Sequence, residues 1–107
     1  MKLIIAIVNN DDCHAVLAEI TRSGMSATKL STSGGFLRAG NATLLIGAEE
    51  DKVPDIIDIF KRFSSKRTQM IETAPSLSSE TFMAMPVEVT VGGATIFVVD
   101  VEQFFKL

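Results

Sequence analysis

The run KLIIAIV at residues 2–8 constrains the fold of this chain more than any other feature. Its apolar residues follow one another without the alternation of a half-exposed strand, and most of the run is β-branched. Such a run is expected of a central strand that is covered on both faces or lies at an interface. A chain of 107 residues has room for one domain around that strand. We therefore predict a single domain over residues 1–107.

Composition and charge exclude several classes of protein. Hydrophobic residues make up 47% of the chain and charged residues 21%, which is typical of a globular protein and not of a disordered one. With 10 basic against 13 acidic residues, the chain has no broad basic surface for a DNA or RNA polymer. The opening apolar run is too short for a signal peptide or a membrane span, so we expect a cytoplasmic protein without membrane association.

Two helices are predicted from the spacing of apolar residues. Capping side chains at Asn9 to Asp12 precede a helix in which Val16 and Ile20 fall at helical spacing and which Gly24 ends. The second helix, VPDIIDIFKRF, has a wide apolar face, with acidic residues before its start and basic residues near its end.

Strands alternate with these helices in a recognisable order. After the strand at 2–8 we predict strands at 26–33 and at 41–47, and a short strand at 68–72. PVEVTV and ATIFVV then form a hairpin closed by Gly92-Gly93. Residues 73–85 have no sustained period and are predicted to be a mobile surface loop, and the last residues a short helical or irregular tail. The order strand, helix, strand, strand, helix, strand predicts an α+β, ferredoxin-like βαββαβ fold, a scaffold of many unrelated functions.

Catalytic and metal-binding patterns are incomplete in the sequence. Cys13 is the one cysteine and His14 the one histidine, so there is no internal disulfide and no second pair to complete a zinc site. We expect Cys13 to occupy an ordinary exposed position at a helix start. No nucleophile motif or Walker loop is present, so we predict a protein that is not an enzyme and that holds no metal or cofactor.

Residues 28–47, TKLSTSGGFLRAGNATLLIG, are the strongest candidate for a site. One interpretation is a glycine-rich hairpin connection without a ligand. The other is a phosphate-binding turn, because Gly34 and Gly35 can aim successive N–H groups into one concavity. Thr28 and Asn41 flank the turn, and an Asn amide can pair with N6 and N7 of adenine, while Phe36 can cover the base.

Three strings in the sequence then point to a known family: KLIIAIV, ATKL followed by T-x-GGFLRAGN, and PVEV-x-VGGAT-x-FV. They closely resemble the PII-like cyclic di-AMP receptors of Gram-positive bacteria over nearly the whole chain. The resemblance implies a ferredoxin-like subunit, a PII-like homotrimer, and one cyclic di-AMP in each cleft between neighbouring subunits. It also implies signalling to a protein target, which the sequence does not identify.

The resemblance also implies which residues bind the ligand. Adenine contacts fall on Thr28, Asn41 and the backbone of Gly47. Phosphate contacts fall on the backbone of Gly35, Phe36 and Leu37, with Arg38 next to them. Gly92 and Phe97 line the pocket from the neighbouring subunit.

The sequence departs from the family pattern at three places: Ser26, where many relatives carry Arg, the loop at 73–85, and the tail Phe104 to Leu107. The loss of a cation at Ser26 favours an alternative function, a PII-like interaction protein that binds another nucleotide such as ATP or has lost cyclic di-AMP binding. A nucleotide-hydrolysing enzyme is a further alternative, and the absence of a general base in residues 28–47 weighs against it.

Overall fold

A computed structural model describes residues 1–30, 40–72 and 86–107 of the chain. In chain order its elements are β1 (Lys2–Asn9), α1 (Asn10–Arg22), β2 (Thr28–Leu30), β3 (Asn41–Ala48), α2 (Val53–Ser64), β4 (Arg67–Glu72), β5 (Pro86–Val91) and β6 (Ala94–Asp100). The loop predicted at 73–85, and the end of the strand predicted at 26–33, lie outside the described residues. No helix in the described ranges is both long and apolar enough to cross a membrane.

The main sheet has four strands in the order β2-β3-β1-β6, with every neighbouring pair antiparallel. Its central strands are β3 and β1, as the continuous apolar run of β1 predicts. Both helices pack on one side of this sheet, and their buried residues join those of β1 and β3 in one core. The mixed α+β fold, with this strand order, confirms the predicted ferredoxin-like class.

One predicted pairing is wrong. The Gly92-Gly93 pair does not close a hairpin between β5 and β6. Instead β5 pairs with β4 in a separate two-stranded sheet, and β6 pairs with β1. Gly92 and Gly93 have φ values of 80° and 92°, so they redirect the chain from one sheet to the other. We call the ribbon of β4 and β5 the arm.

The helices begin and end at the predicted signals. The side chain of Asn9 accepts a hydrogen bond from the Asp11 N–H at 2.8 Å and caps α1, and Gly24 follows the helix at a φ of 82°. A 3-10 turn at Glu50–Lys52 leads into α2, which has its proline in the first turn. These local signals fix the helix ends to within a few residues.

The core consists of the side chains that β1 and β3 direct toward the helices, together with the inner faces of α1 and α2. Its largest members are Phe60, Ile4, Ile20, Leu44, Ile46 and Ile56. Cys13 belongs to this core and is only 2% exposed, so the expectation of ordinary exposure is wrong. It lies three residues before Val16 and seven before Ile20, on the same buried face of α1.

The opposite side of the sheet carries no helix, and we call it the open face. Strand alternation places on it Leu3, Ile5 and Ile7 of β1, Leu45 and Gly47 of β3, Thr28 and Leu30 of β2, and Phe97 and Val99 of β6. Several of these apolar side chains are exposed, including Phe97 at 52% and Val99 at 43%. The tail after β6 forms no helix or strand, and Phe104 and Phe105 on it are also exposed.

Candidate functional site

Three of the predicted ligand residues lie on the open face. Thr28 is opposite Leu45, Leu45 is opposite Ile5, and Ile5 is opposite Phe97. Thr28 and Phe97 therefore end one row that crosses all four strands. Three strand spacings of about 4.8 Å put them about 14 Å apart. Gly47 is two residues from Leu45 on the same face and is a neighbour of Thr28, which makes these two residues a compact pair.

Asn41 lies at the other end of β3 from Gly47. The two residues are six positions apart on a strand that pairs with β1 without interruption. At about 3.4 Å per residue their separation is about 20 Å. One adenine edge therefore cannot meet both residues within one subunit. The two positions can serve only different bases, or bases held by different subunits.

Asn41 shares a cavity with a different predicted residue, Gly92. This cavity has a volume of about 620 Å³ and opens beside the ends of β1 and α2. We call it the end cavity. Its polar lining residues are Asn9, Asn41, Lys61, Ser64, Ser65, Lys66, Gly92, Gly93 and Thr95. Strand alternation puts Asn41 on the same side of β3 as Gly47 but at the far end of the strand. The described candidates therefore fall at two places: Thr28, Gly47 and Phe97 on the open face, and Asn41 with Gly92 at the end cavity.

The remaining candidates, Gly35, Phe36, Leu37 and Arg38, lie outside the described residues. The proposed phosphate-binding turn is therefore still a prediction. Ser26, the position at which many relatives carry Arg, is exposed just before β2.

The charge of the end cavity suits an anionic ligand. Lys61 and Lys66 line it, and no carboxylate belongs to the described part of its wall. The Lys66 stem lies over Gly93, where an added Cβ would come within 3.1 Å of its Cγ. Amide and hydroxyl groups of Asn9, Asn41 and Ser65 add hydrogen-bonding capacity beside these cations. The wall therefore combines positive charge with neutral polar groups, which suits phosphate oxygens.

Sequence analysis missed the two lysines, although a signal for them was present. The basic residues near the end of α2 are explained by the helix dipole alone, which is why no further role was assigned to them. Their proximity to Asn41 depends on the crossing of α2 over the end of β1, and this is a tertiary contact that the local pattern does not contain.

An ion pair at the edge of the end cavity was also not predicted. The Arg67 guanidinium donates to both carboxylate oxygens of Asp12, over 2.8 Å and 3.2 Å. Hydrogen bonding to Asp12 raises the pKa of Arg67 above its ordinary value. Asp12 is buried although it lies in the first turn of α1, and Arg67 begins the arm. The pair thus joins the arm to the body of the domain.

The described part of the chain gives little support for a cysteine–histidine catalytic pair or a metal site. Cys13 is buried in the core, whereas His14 next to it is exposed, so the two side chains do not form a nucleophile and base on one surface. Within residues 1–30, 40–72 and 86–107, no three His, Cys, Asp or Glu side chains form a group suited to a metal ion.

Comparison with known proteins gives the chain a family. A crystal structure of a functionally unknown protein from Pediococcus pentosaceus ATCC 25745 is 40% identical to it, with a TM-score of 0.77. That match covers 99% of this chain and 96% of the other. The profile of the family described as "Cyclic-di-AMP receptor" matches residues 1–107, the whole chain. The resemblance of the sequence strings is thereby confirmed, and the chain belongs to the cyclic-di-AMP receptor family.

Proposed function

We propose that the protein binds cyclic di-AMP between the subunits of a cytoplasmic homotrimer and signals its occupancy to a protein target, without catalysing a reaction. One observation carries the proposal above the others. Thr28 and Phe97, both implied ligand residues, lie on the two opposite edge strands of one open face. A single chain does not bring them together on one base.

A cyclic assembly solves this separation. In a head-to-tail ring, the contact between neighbours joins two different surfaces of the subunit. If the β6 edge of one subunit meets the β2 edge of the next, Phe97 of the first approaches Thr28 and Gly47 of the second. The ligand site is then completed only by assembly, and each interface of the ring holds one copy of it.

The apolar character of the open face supports the same assembly. Phe97, Val99 and Leu30 are between 38% and 52% exposed in the single chain. Clusters of exposed apolar side chains of this kind typically mark interaction surfaces. Covering them in a trimer would remove that apolar area from water and stabilise the interface.

The chemistry of the proposed ligand suits the described polar groups. Cyclic di-AMP carries two adenines and two phosphates, so it needs donors and acceptors for base edges as well as positive charge. Asn41 supplies an amide, the partner that adenine prefers. Lys61 and Lys66 line the same cavity. Loop rearrangement on binding, which would carry the signal, involves residues 73–85 in this proposal.

Calorimetric titration of the purified protein with cyclic di-AMP, cyclic di-GMP and ATP, each separately, tests the proposal. Guanine places the O6 acceptor where adenine has the N6 donor, and each buried unsatisfied group costs about 1–3 kcal/mol. Two bases give a preference for cyclic di-AMP of roughly a hundredfold or more.

The same titration decides between the proposal and its alternative. Saturable heat with ATP and none with cyclic di-AMP would support a PII-like protein for another nucleotide, which the serine at position 26 favours. No heat with any of the three ligands would support an interaction protein that has lost nucleotide binding.

A further inference from the structure

The arm depends on its base for its orientation. Its strands pair with each other and with no strand of the four-stranded sheet in the described ranges. A two-stranded ribbon is at best marginally stable alone in water. Contacts at the base of the arm, where β4 begins and β5 ends, therefore determine how firmly it is held against the domain.

Arg67 provides the first of these contacts. Its Nη2 donates to Asp12 Oδ1 at 2.8 Å, and its Nη1 donates to Asp12 Oδ2 at 3.2 Å and to the Ser65 carbonyl at 3.3 Å. The Asp12 side chain is only 8% exposed, whereas the Arg67 side chain is 49% exposed. A two-point pair with a nearly buried carboxylate fixes both distance and direction, which a single contact with a surface charge does not.

Gly92, which directly follows β5, leaves the space that this ion pair occupies. A Cβ at this position would lie 2.6 Å from Arg67 Nη1, 2.7 Å from the Ser65 carbonyl oxygen and 3.2 Å from Asp12 Oδ2. Its φ of 80° also disfavours any side chain. The next residue, Gly93, donates its N–H to the Ser64 carbonyl. The chain is thus attached to the domain both where β4 begins and just after β5 ends.

We infer that Asp12, Arg67 and Gly92 form a clamp that holds the base of the arm to α1, and that a ligand in the end cavity acts on the arm through it. The end cavity is lined by Ser65, whose carbonyl accepts a hydrogen bond from Arg67 Nη1, and by Gly92, where an added Cβ would collide with the same Nη1. An occupant of the cavity therefore contacts the clamp directly. The ligand-dependent part rests on the proposed function, whereas the clamp itself does not.

Hydrogen exchange of the ligand-free protein tests the clamp with Asp12→Asn and Arg67→Gln. Each variant is expected to speed exchange of the amides at 67–72 and 87–91 by about tenfold, because hydrogen bonds to charged groups are among the stronger ones. Amides of β1 and β3 should keep their rates. The matched control is Asp11→Asn, which removes the same charge from the same turn of α1 at an exposed position.

The double variant shows whether the two single variants remove one shared interaction or act on the arm independently. Asp12→Asn combined with Arg67→Gln should speed arm exchange no more than either change alone, because both remove one shared interaction. Unchanged exchange in the arm, or an equal rise in β1 and β3, would overturn the clamp. An effect of Asp11→Asn as large as that of Asp12→Asn would also overturn it.

The ligand-dependent part is tested with cyclic di-AMP on the same proteins, with binding measured by calorimetry in each case. Saturating ligand should slow arm exchange in the unaltered protein and in Asp11→Asn, but not in Arg67→Gln. If Arg67→Gln binds the ligand and its arm is still protected, the coupling is wrong. If no protein binds the ligand, the proposed function and the coupling both fail, while the exchange of the ligand-free variants still decides the clamp.

Discussion

Val99→Asp is expected to reduce the assembly to single subunits and to abolish high-affinity binding of cyclic di-AMP. Val99 lies on the open face opposite Leu3 and is 43% exposed in the single chain. In the proposed trimer this face is covered, and burial of an unpaired carboxylate is strongly unfavourable. Light scattering should give the mass of three 11.6-kDa subunits for the unaltered protein and of one for the variant.

Val98→Asp is the matched control for this substitution. Val98 is the preceding residue of β6, has the same 43% exposure, and lies on the opposite side of the sheet. It should therefore leave the trimer and its binding in place. A trimeric Val99→Asp protein would show that the open face is not the interface. Equal dissociation of both variants would attribute the effect to β6 itself and contradict the assignment.

Asn41→Ala is expected to weaken cyclic di-AMP binding by about ten- to a hundredfold, because a bidentate amide–adenine pair contributes about 1–3 kcal/mol. The preference over cyclic di-GMP should also narrow. Since Gly47 is about 20 Å away along β3, only one of the two bases loses its contact and some selectivity remains. Titration calorimetry with both dinucleotides measures the two effects.

Asn10→Ala provides the comparison for Asn41→Ala. Asn10 is the same residue type, is exposed, and lies in the first turn of α1, outside the end cavity. Its replacement should leave both affinities unchanged. If Asn41→Ala binds cyclic di-AMP as tightly as Asn10→Ala does, the assignment of Asn41 to the ligand is wrong.

Local patterns sufficed for the elements that make up most of the domain. The continuous apolar run of β1, the cap at Asn9 and the glycine after α1 are signals within a few residues of the structure they produce. The helical spacing of Cys13, Val16 and Ile20 also predicts that the cysteine is buried, although its position at a helix start suggested exposure.

Pairing between distant strands was harder to predict from the sequence. A Gly-Gly step reports that the backbone takes positive φ, and this is equally true of a hairpin turn and of a crossing between sheets. The partner of β5 is β4, and this pairing joins segments that are separated in the sequence, so the local pattern at Gly92-Gly93 does not reveal it. The Asp12–Arg67 pair is likewise 55 positions apart in sequence and has no local signal.

Candidate residues for the site could be named from the sequence, whereas their arrangement could not. The resemblance named Thr28, Asn41 and Gly47 together, whereas the extended backbone of β3 separates the last two. The rise of about 3.4 Å per residue along a strand would have revealed this distance. The lysines of the end cavity needed the packing of α2 against β1 before they became neighbours of Asn41.

Native mass spectrometry of the protein with saturating cyclic di-AMP tests the central claim most directly, because it counts subunits and ligands in one measurement. The account predicts trimers that carry up to three cyclic di-AMP molecules, one for each interface, and single subunits that carry none. Single subunits that each bind one ligand, or trimers that bind none, would contradict it.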